Sequence, residues 1–299
     1  MTRRHFVPLL LQDYGNLHLT PLDITWVAPD LKVPEVADGE PRPGMRVRIG
    51  NSGLYHVLFL PEDWKPGTSY PLIVEYPGNG PGPLSPRVPG ISIEGGTPEN
   101  TMLGYGLSGG RGSLWVSLPF VEANGIATTW WGNVQETVNY CRRTVDTICS
   151  RFGGDRRKVM LCGFSRGSLA CNYIGLHDDS IAGLWRAFFC HSHYDGVHRW
   201  PYPGADGESA RERLQRLKGR PQFISHEKSG DEKGLVYVPH GRPRYVGSVE
   251  ETRRYIEATK IVGDFTFETL PYPNHTDAWI LRPTSLRARA RAWARRVLA

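Results

Sequence analysis

Lys158-Val159-Met160-Leu161-Cys162-Gly163-Phe164-Ser165-Arg166-Gly167, continued by Ser168-Leu169-Ala170-Cys171-Asn172-Tyr173-Ile174, decides how this chain is read. The first apolar run reads as a strand and the second as a helix. Between them, G-x-S-x-G marks a sharp turn that lifts a serine hydroxyl above a sheet edge. A side chain at Gly163 or Gly167 would meet the neighbouring strand or helix where the backbones come close. The helix that opens after Ser165 aims its N–H groups at any oxyanion formed there. G-x-S-x-G also arises by chance, as a serine in a Gly-rich turn. The flanking strand and helix make Ser165 the candidate nucleophile.

Outward from this stretch, strands and helices alternate. Upstream, Met45–Ile49 alternates as an edge strand, and Leu54–Leu60 follows as its hairpin partner across Asn51-Ser52-Gly53. Pro71–Tyr76 and Leu114–Leu118 are apolar enough for buried strands. Asn133 with Glu136 resembles a capping box, opening a helix that Gly153-Gly154 ends after Phe152. Downstream come strands Arg186–Cys190, Pro221–Ser225 and Phe265–Leu270. Helices are expected near Ser209–Leu217, from a second capping box at Ser248 and Glu251 to before Gly263, and over Thr284–Leu298. The alternation implies an α/β fold: a mostly parallel, doubly wound sheet with helices on both faces and an antiparallel N-terminal edge. One domain is expected over residues 1–299, with an irregular extension over 1–43 and a Gly- and Pro-rich loop over 78–112 placed to act as a lid. That loop holds Gly104-Tyr105-Gly106-Leu107-Ser108-Gly109. It lies before a strand rather than after one, which excludes a dinucleotide site.

The 299 residues carry 39% hydrophobic and 22% charged side chains, the balance of an ordinary globular domain. No apolar run reaches the length of a membrane span. The net charge of +6 is spread along the chain, so a nucleic-acid partner is not expected. The exception is Arg287, Arg289, Arg291, Arg295 and Arg296, which read as the solvated face of the last helix. Five cysteines, an odd number without zinc-type spacing, read as reduced thiols, three of them in apolar surroundings. Thr2-Arg3-Arg4-His5-Phe6-Val7 loosely resembles a twin-arginine export signal. The apolar run behind it is short and interrupted by Pro8, so a cytoplasmic chain is expected, with a signal-trimmed secreted form as the alternative.

A serine hydroxyl needs a base within hydrogen-bond reach and a third group to orient that base. His275, just past the last strand in Pro271-Tyr272-Pro273-Asn274-His275-Thr276, is the candidate base; otherwise it is a surface-loop histidine. Asn274-His275-Thr276 also matches a glycosylation sequon, discounted because a glycan would bury the site. Three acids lie in the right order for the orienting role: Asp231, in a charged insertion over Lys228–Gly247, Asp195, past the strand ending at Cys190, and Glu227, at the end of its strand. The N–H of Arg166 is one expected oxyanion donor, and Pro77-Gly78-Asn79-Gly80 offers the other through Asn79 or Gly80. The Arg166 side chain would bind a substrate carboxylate or form a salt bridge. Trp130, Trp131, Tyr194 and Trp200 are candidates for the floor of an apolar or sugar-binding cleft, core packing being the alternative for each. His193 is placed in the wall of the same pocket. His191-x-His193-x-Asp195 could ligate a metal but lacks a further ligand, so neither metal nor cofactor is expected.

These features resemble the α/β-hydrolase superfamily. The likeness rests on Pro77-Gly78-Asn79-Gly80 after one strand, Gly163-Phe164-Ser165-Arg166-Gly167 after a second and His275 after the last. Arg151–Gly163 is similar to the segment before the nucleophile in polyhydroxybutyrate-depolymerase-like and feruloyl-esterase-like proteins, although Arg166 replaces a smaller residue. The resemblance implies hydrolysis of a small or polymeric carboxylic ester through an acyl-enzyme. A serine peptidase or amidase on the same fold, and a non-catalytic carbohydrate-binding relative, are the alternative readings.

Overall fold

The computed structural model describes residues 24, 27–80, 95–228, 235–236, 244–245 and 247–299. Its strands are β1 (Val36–Ala37), β2 (Arg46–Gly50), β3 (Tyr55–Phe59), β4 (Tyr70–Tyr76), β5 (Leu114–Ser117), β6 (Val121–Glu122), β7 (Gly125–Ile126), β8 (Gly154–Phe164), β9 (Ala187–His191), β10 (Gly219–His226), β11 (Leu235–Val236), β12 (Arg244–Tyr245) and β13 (Gly263–Thr269). The helices are α1 (Leu103–Ser108), α2 (Val134–Phe152), α3 (Arg166–Tyr173), α4 (Asp179–Ala182), α5 (Gly207–Leu214), α6 (Val249–Thr259) and α7 (Ser285–Leu298). Among the described residues, nine strands form one sheet in the order β1-β2-β3-β5-β4-β8-β9-β10-β13. From β4 and β5 to β13 every neighbouring pair is parallel, while β2–β3 and β3–β5 are antiparallel.

The strand that leads to Ser165, β8, lies inside this sheet between β4 and β9. Val159 and Leu161 join the apolar cluster on one face, while Met160, Cys162 and Phe164 join the cluster on the other. A strand covered on both sides must be apolar at every position, which is why the run lacks polar alternation. Helices α2, α3, α5 and α6 contribute to the first cluster. Helices α1 and α7 cover the opposite face. All five cysteines are buried and free. No helix among the described residues is long and apolar enough to cross a membrane.

Three expectations need correction. The edge strand is not β2 but the two-residue β1, which pairs parallel to it inside the stretch read as irregular. The presumed loop over 78–112 holds a 3₁₀ turn at Pro98–Asn100 and helix α1. Residues 81–94, and with them the expectation of a lid, lie outside the described residues. Helix α1 forms because the buried Glu75 carboxylate accepts from the N–H groups of Met102, Leu103 and Gly104 and from Trp115 Nε1. Its glycines serve close packing, since a Cβ on Gly104 would fall 2.2 Å from Trp115 and one on Gly106 2.4 Å from Ile280. Finally, the arginines of α7 are not all solvated. Arg287 is buried against Asp30 and Arg291 Nε donates to the Gly106 carbonyl (2.7 Å), whereas Arg289, paired with Glu268, stays exposed.

Candidate functional site

Parallel strands deliver their C-terminal ends to one edge of the sheet, and the candidate side chains collect there. Ser165 follows β8, Glu227 is the first residue past β10, His275 lies in the loop after β13, Ser192 follows β9, and Pro77–Gly80 follows β4.

Ser165 turns the chain from β8 into α3 at φ 54°, ψ −117°. A non-glycine residue there carries strain of about 1–3 kcal/mol, held by its surroundings. Its N–H donates to the His191 carbonyl (3.0 Å), and the two flanking glycines allow the turn to close. A Cβ on Gly163 would stand 2.2 Å from Gly167 backbone atoms, and one on Gly167 2.0 Å from the Tyr76 carbonyl oxygen. These are backbone contacts that cannot give way.

The Ser165 hydroxyl lies 3.3 Å from His275 Nε2, and His275 Nδ1 lies 2.6 Å from Glu227 Oε1. A carboxylate only accepts, so Nδ1 carries the proton and the Nε2 lone pair faces the serine. The Glu227 side chain is fully buried and His275 is 14% exposed. Burial by itself would raise the Glu227 carboxyl. The charge and hydrogen bond of His275, with His191 and His226 nearby, overcome burial and hold it far below the ordinary carboxylate range.

Two further groups steady the imidazole. Ser192 Oγ lies 2.9 Å from Nδ1, sharing that proton with Glu227. Ser192 is fully buried at φ 84°, and its N–H donates to the Ser225 carbonyl (2.7 Å). Nothing in the sequence separates this serine from others after a strand. Behind it, Trp279 Nε1 donates to His191 Nε2 (3.0 Å), which anchors the His275 loop to β9, and burial lowers the pKa of His191. The Asn274 side chain accepts from the Ile24 N–H (2.8 Å), tying the same loop to the N-terminal segment.

Of the three acids, the structure brings Glu227 to His275. Asp195 is placed elsewhere: both its oxygens accept from Arg213, Nε at 2.9 Å and Nη2 at 3.0 Å. Burial raises the Asp195 carboxyl, against the attraction of Arg213. Asp231 lies outside the described residues, and Glu227 occupies the place expected for it. His191 is enclosed by Ser225, Thr276 and Trp279 while Asp195 serves Arg213, so the alternating positions do not converge on a common point.

The aromatic candidates divide. Tyr194 is buried and donates to Gln222 Oε1 (2.6 Å), and Trp131 is buried in a stack on Tyr173, so both are core residues. His193 stands against His275, with ring centres 5.3 Å apart, and against Trp200 at 5.0 Å. Trp200 continues to the half-buried Trp130 (5.6 Å), which meets Tyr202 (5.3 Å). Tyr202 went unread in the sequence, although Trp200-Pro201-Tyr202-Pro203 is an aromatic, Pro-rich loop. Gly80 is unsuited as an oxyanion donor because its N–H already donates to the Thr128 carbonyl (2.6 Å). The Arg166 side chain is turned into the protein and grips backbone around the site. It is 1% exposed and donates to four backbone carbonyls.

The strand order, with its antiparallel β2–β3–β5 pairings, parallel remainder and serine turn after the interior strand β8, decides the architecture. The chain has the α/β-hydrolase fold. Solved structures with this α/β-hydrolase architecture superimpose on it. A candidate dipeptidyl aminopeptidase IV from Bacteroides ovatus matches with a TM-score of 0.54 at 14% identity, over 83% of this chain and 35% of that one. Brefeldin A esterase, a bacterial homologue of human hormone sensitive lipase, matches at 0.51 and 12% identity, over 89% and 80%. The isopeptidase AtxE2 matches at 0.50 and 15%, over 85% and 40%. The chain thus spans about a third of the length of the first of these proteins. No protein-family model and no curated protein matches the sequence.

Proposed function

We propose that this α/β-hydrolase chain is a serine ester hydrolase. The observation that carries the reading is the continuous contact from Glu227 Oε1 through His275 to Ser165 Oγ on a strained turn. Ser165 Oγ attacks the ester carbonyl carbon while its proton passes to His275 Nε2 and the carbonyl electron pair moves to oxygen. Glu227 holds the Nδ1–H tautomer and stabilises the imidazolium as it forms. The oxyanion is received by the N–H groups of Asn79 and of Arg166, the latter at the positive end of α3. Collapse expels the alcohol, which takes the proton from His275. Water, activated by the same imidazole, then releases the acid from Ser165.

The expected result is that Ser165→Ala loses hydrolysis of short nitrophenyl esters at unchanged melting temperature, and that a fluorophosphonate labels the parent protein at Ser165 alone. Retention of most ester hydrolysis by Ser165→Ala rejects the assignment. Peptidases and an esterase share the fold, and the same groups would serve an amide. The ratio of ester to amide turnover separates the two readings.

A further inference from the structure

We propose that the Arg166 guanidinium is a positioning group that locks the oxyanion loop in its working geometry, an inference that rests on the ester-hydrolase reading above. Nη2 donates to the carbonyls of Gly78 (2.8 Å) and Gly96 (3.2 Å), and Nη1 to those of Ala127 (3.1 Å) and Trp130 (2.6 Å). The guanidinium carbon also lies 4.1 Å from the centre of the Phe120 ring. One planar fork therefore gathers three separate backbone segments around the residue that follows Ser165. A buried cation is costly unless its donors are met, and four backbone carbonyls accept from Nη1 and Nη2 here.

The segments so gathered are the ones that shape the site. Gly78 directly precedes Asn79, the proposed second oxyanion donor. The Asn79 side chain in turn accepts from the Trp130 N–H (2.9 Å), and Gly80 N–H donates to Thr128. Trp130 sits at φ 52°, a strained conformation for an aromatic residue, gripped at its N–H by Asn79 and at its carbonyl by Arg166. Without the guanidinium these contacts lose their common anchor. Asn79 then drifts from the position a tetrahedral oxygen requires, where a few tenths of an ångström matter. Arg166 thus acts twice, through its N–H on the oxyanion and through its side chain on the partner donor.

The test uses Arg166→Met and Arg166→Lys with active sites counted by titration. Nitrophenyl acetate kinetics are measured alongside affinity for a trifluoromethyl ketone, which forms a tetrahedral adduct on Ser165. Arg166→Met is expected to lower kcat about 100-fold and ketone affinity in parallel, with KM within about threefold. Arg166→Lys is expected to fall between, because an ammonium cannot span four carbonyls. A merely structural side chain would reduce the fraction of folded protein but leave constants per active site unchanged, and that result overturns the proposal. Amide exchange at Gly80 and Trp130 gives a readout independent of turnover: faster exchange in Arg166→Met than in the parent supports the clamp, and equal exchange refutes it. If the parent and Ser165→Ala are equally inert toward esters, the hydrolase reading fails, while the exchange data still judge the clamp.

Discussion

Glu227→Gln keeps the size of the side chain but offers His275 an amide that can donate. The imidazole then favours the tautomer with its proton on Nε2, and Ser165 loses its acceptor. We expect kcat to fall about 10³–10⁴-fold with little change in melting temperature. Asp195→Asn should do the reverse: removing half of a buried ion pair destabilises by about 3–5 kcal/mol, while kcat per folded molecule stays near the parent value. Kinetics and thermal melts on the two variants distinguish the roles, and the opposite pattern would return Asp195 to the site. Ser165 and His275 were legible because each follows a recognisable strand in a fixed order. The acid was not, since three carboxylates satisfied that order. The deciding fact is the contact of Glu227 with His275 Nδ1 (2.6 Å), while Asp195 is taken up by Arg213. Pairing of β10 with β13 runs to His226, one residue past the Ser225 expected from the sequence, and Glu227 follows directly. Ser192 and the Arg166 contacts were out of reach because both depend on backbone carbonyls and loops brought together only by folding.

At the level of single elements, α2 shows what local chemistry can specify. Its limits, Val134 and Phe152, are those read from Asn133 and Gly153, and Gly153 takes the left-handed conformation at φ 79°. Asn133 Oδ1 accepts from Glu136 N–H (3.1 Å). The second half of the capping box is replaced, because the Asn133 N–H donates to the Val121 carbonyl (2.6 Å) instead of to Glu136. Asn133→Ala should therefore cost about 1 kcal/mol, read as a lower melting temperature with unchanged ester kinetics. Helix α1 is the counterexample. Two glycines in six residues argue against a helix, yet a carboxylate from β4 caps it and Trp115 and Ile280 fill the space the glycines leave. Strands β1, β6 and β7 have two residues each, too few for alternation to register.

For the whole molecule, buried imidazoles set the response to acid. Burial holds His56 neutral to about 4 and His226 to about 3, against an ordinary value of 6.5. Below pH 6.5 the unfolded chain takes up protons that the folded chain refuses, so stability falls as pH drops, by about 1.4 kcal/mol per pH unit for each imidazole. Glu75 opposes this, because burial raises its carboxyl from 4.5 to about 6 and the folded chain is protonated first in that interval. Below pH 4.5 that compensation ends. Glu227, which stays ionised only in the folded chain, then adds to the loss. Melting temperatures measured from pH 7 to pH 4 should decline from about pH 6 and more steeply below 4.5, and His226→Gln should flatten the slope. A flat profile down to pH 4.5 would contradict this account. The tie between Asn274 and Ile24 has a practical bearing as well. Were the chain made in a eukaryotic secretory pathway, an oligosaccharide added at the Asn274-His275-Thr276 sequon would break that tie and stand beside the imidazole. Protein from bacterial cytosol, which carries no such glycan, keeps that loop as described and is the basis for assigning activity.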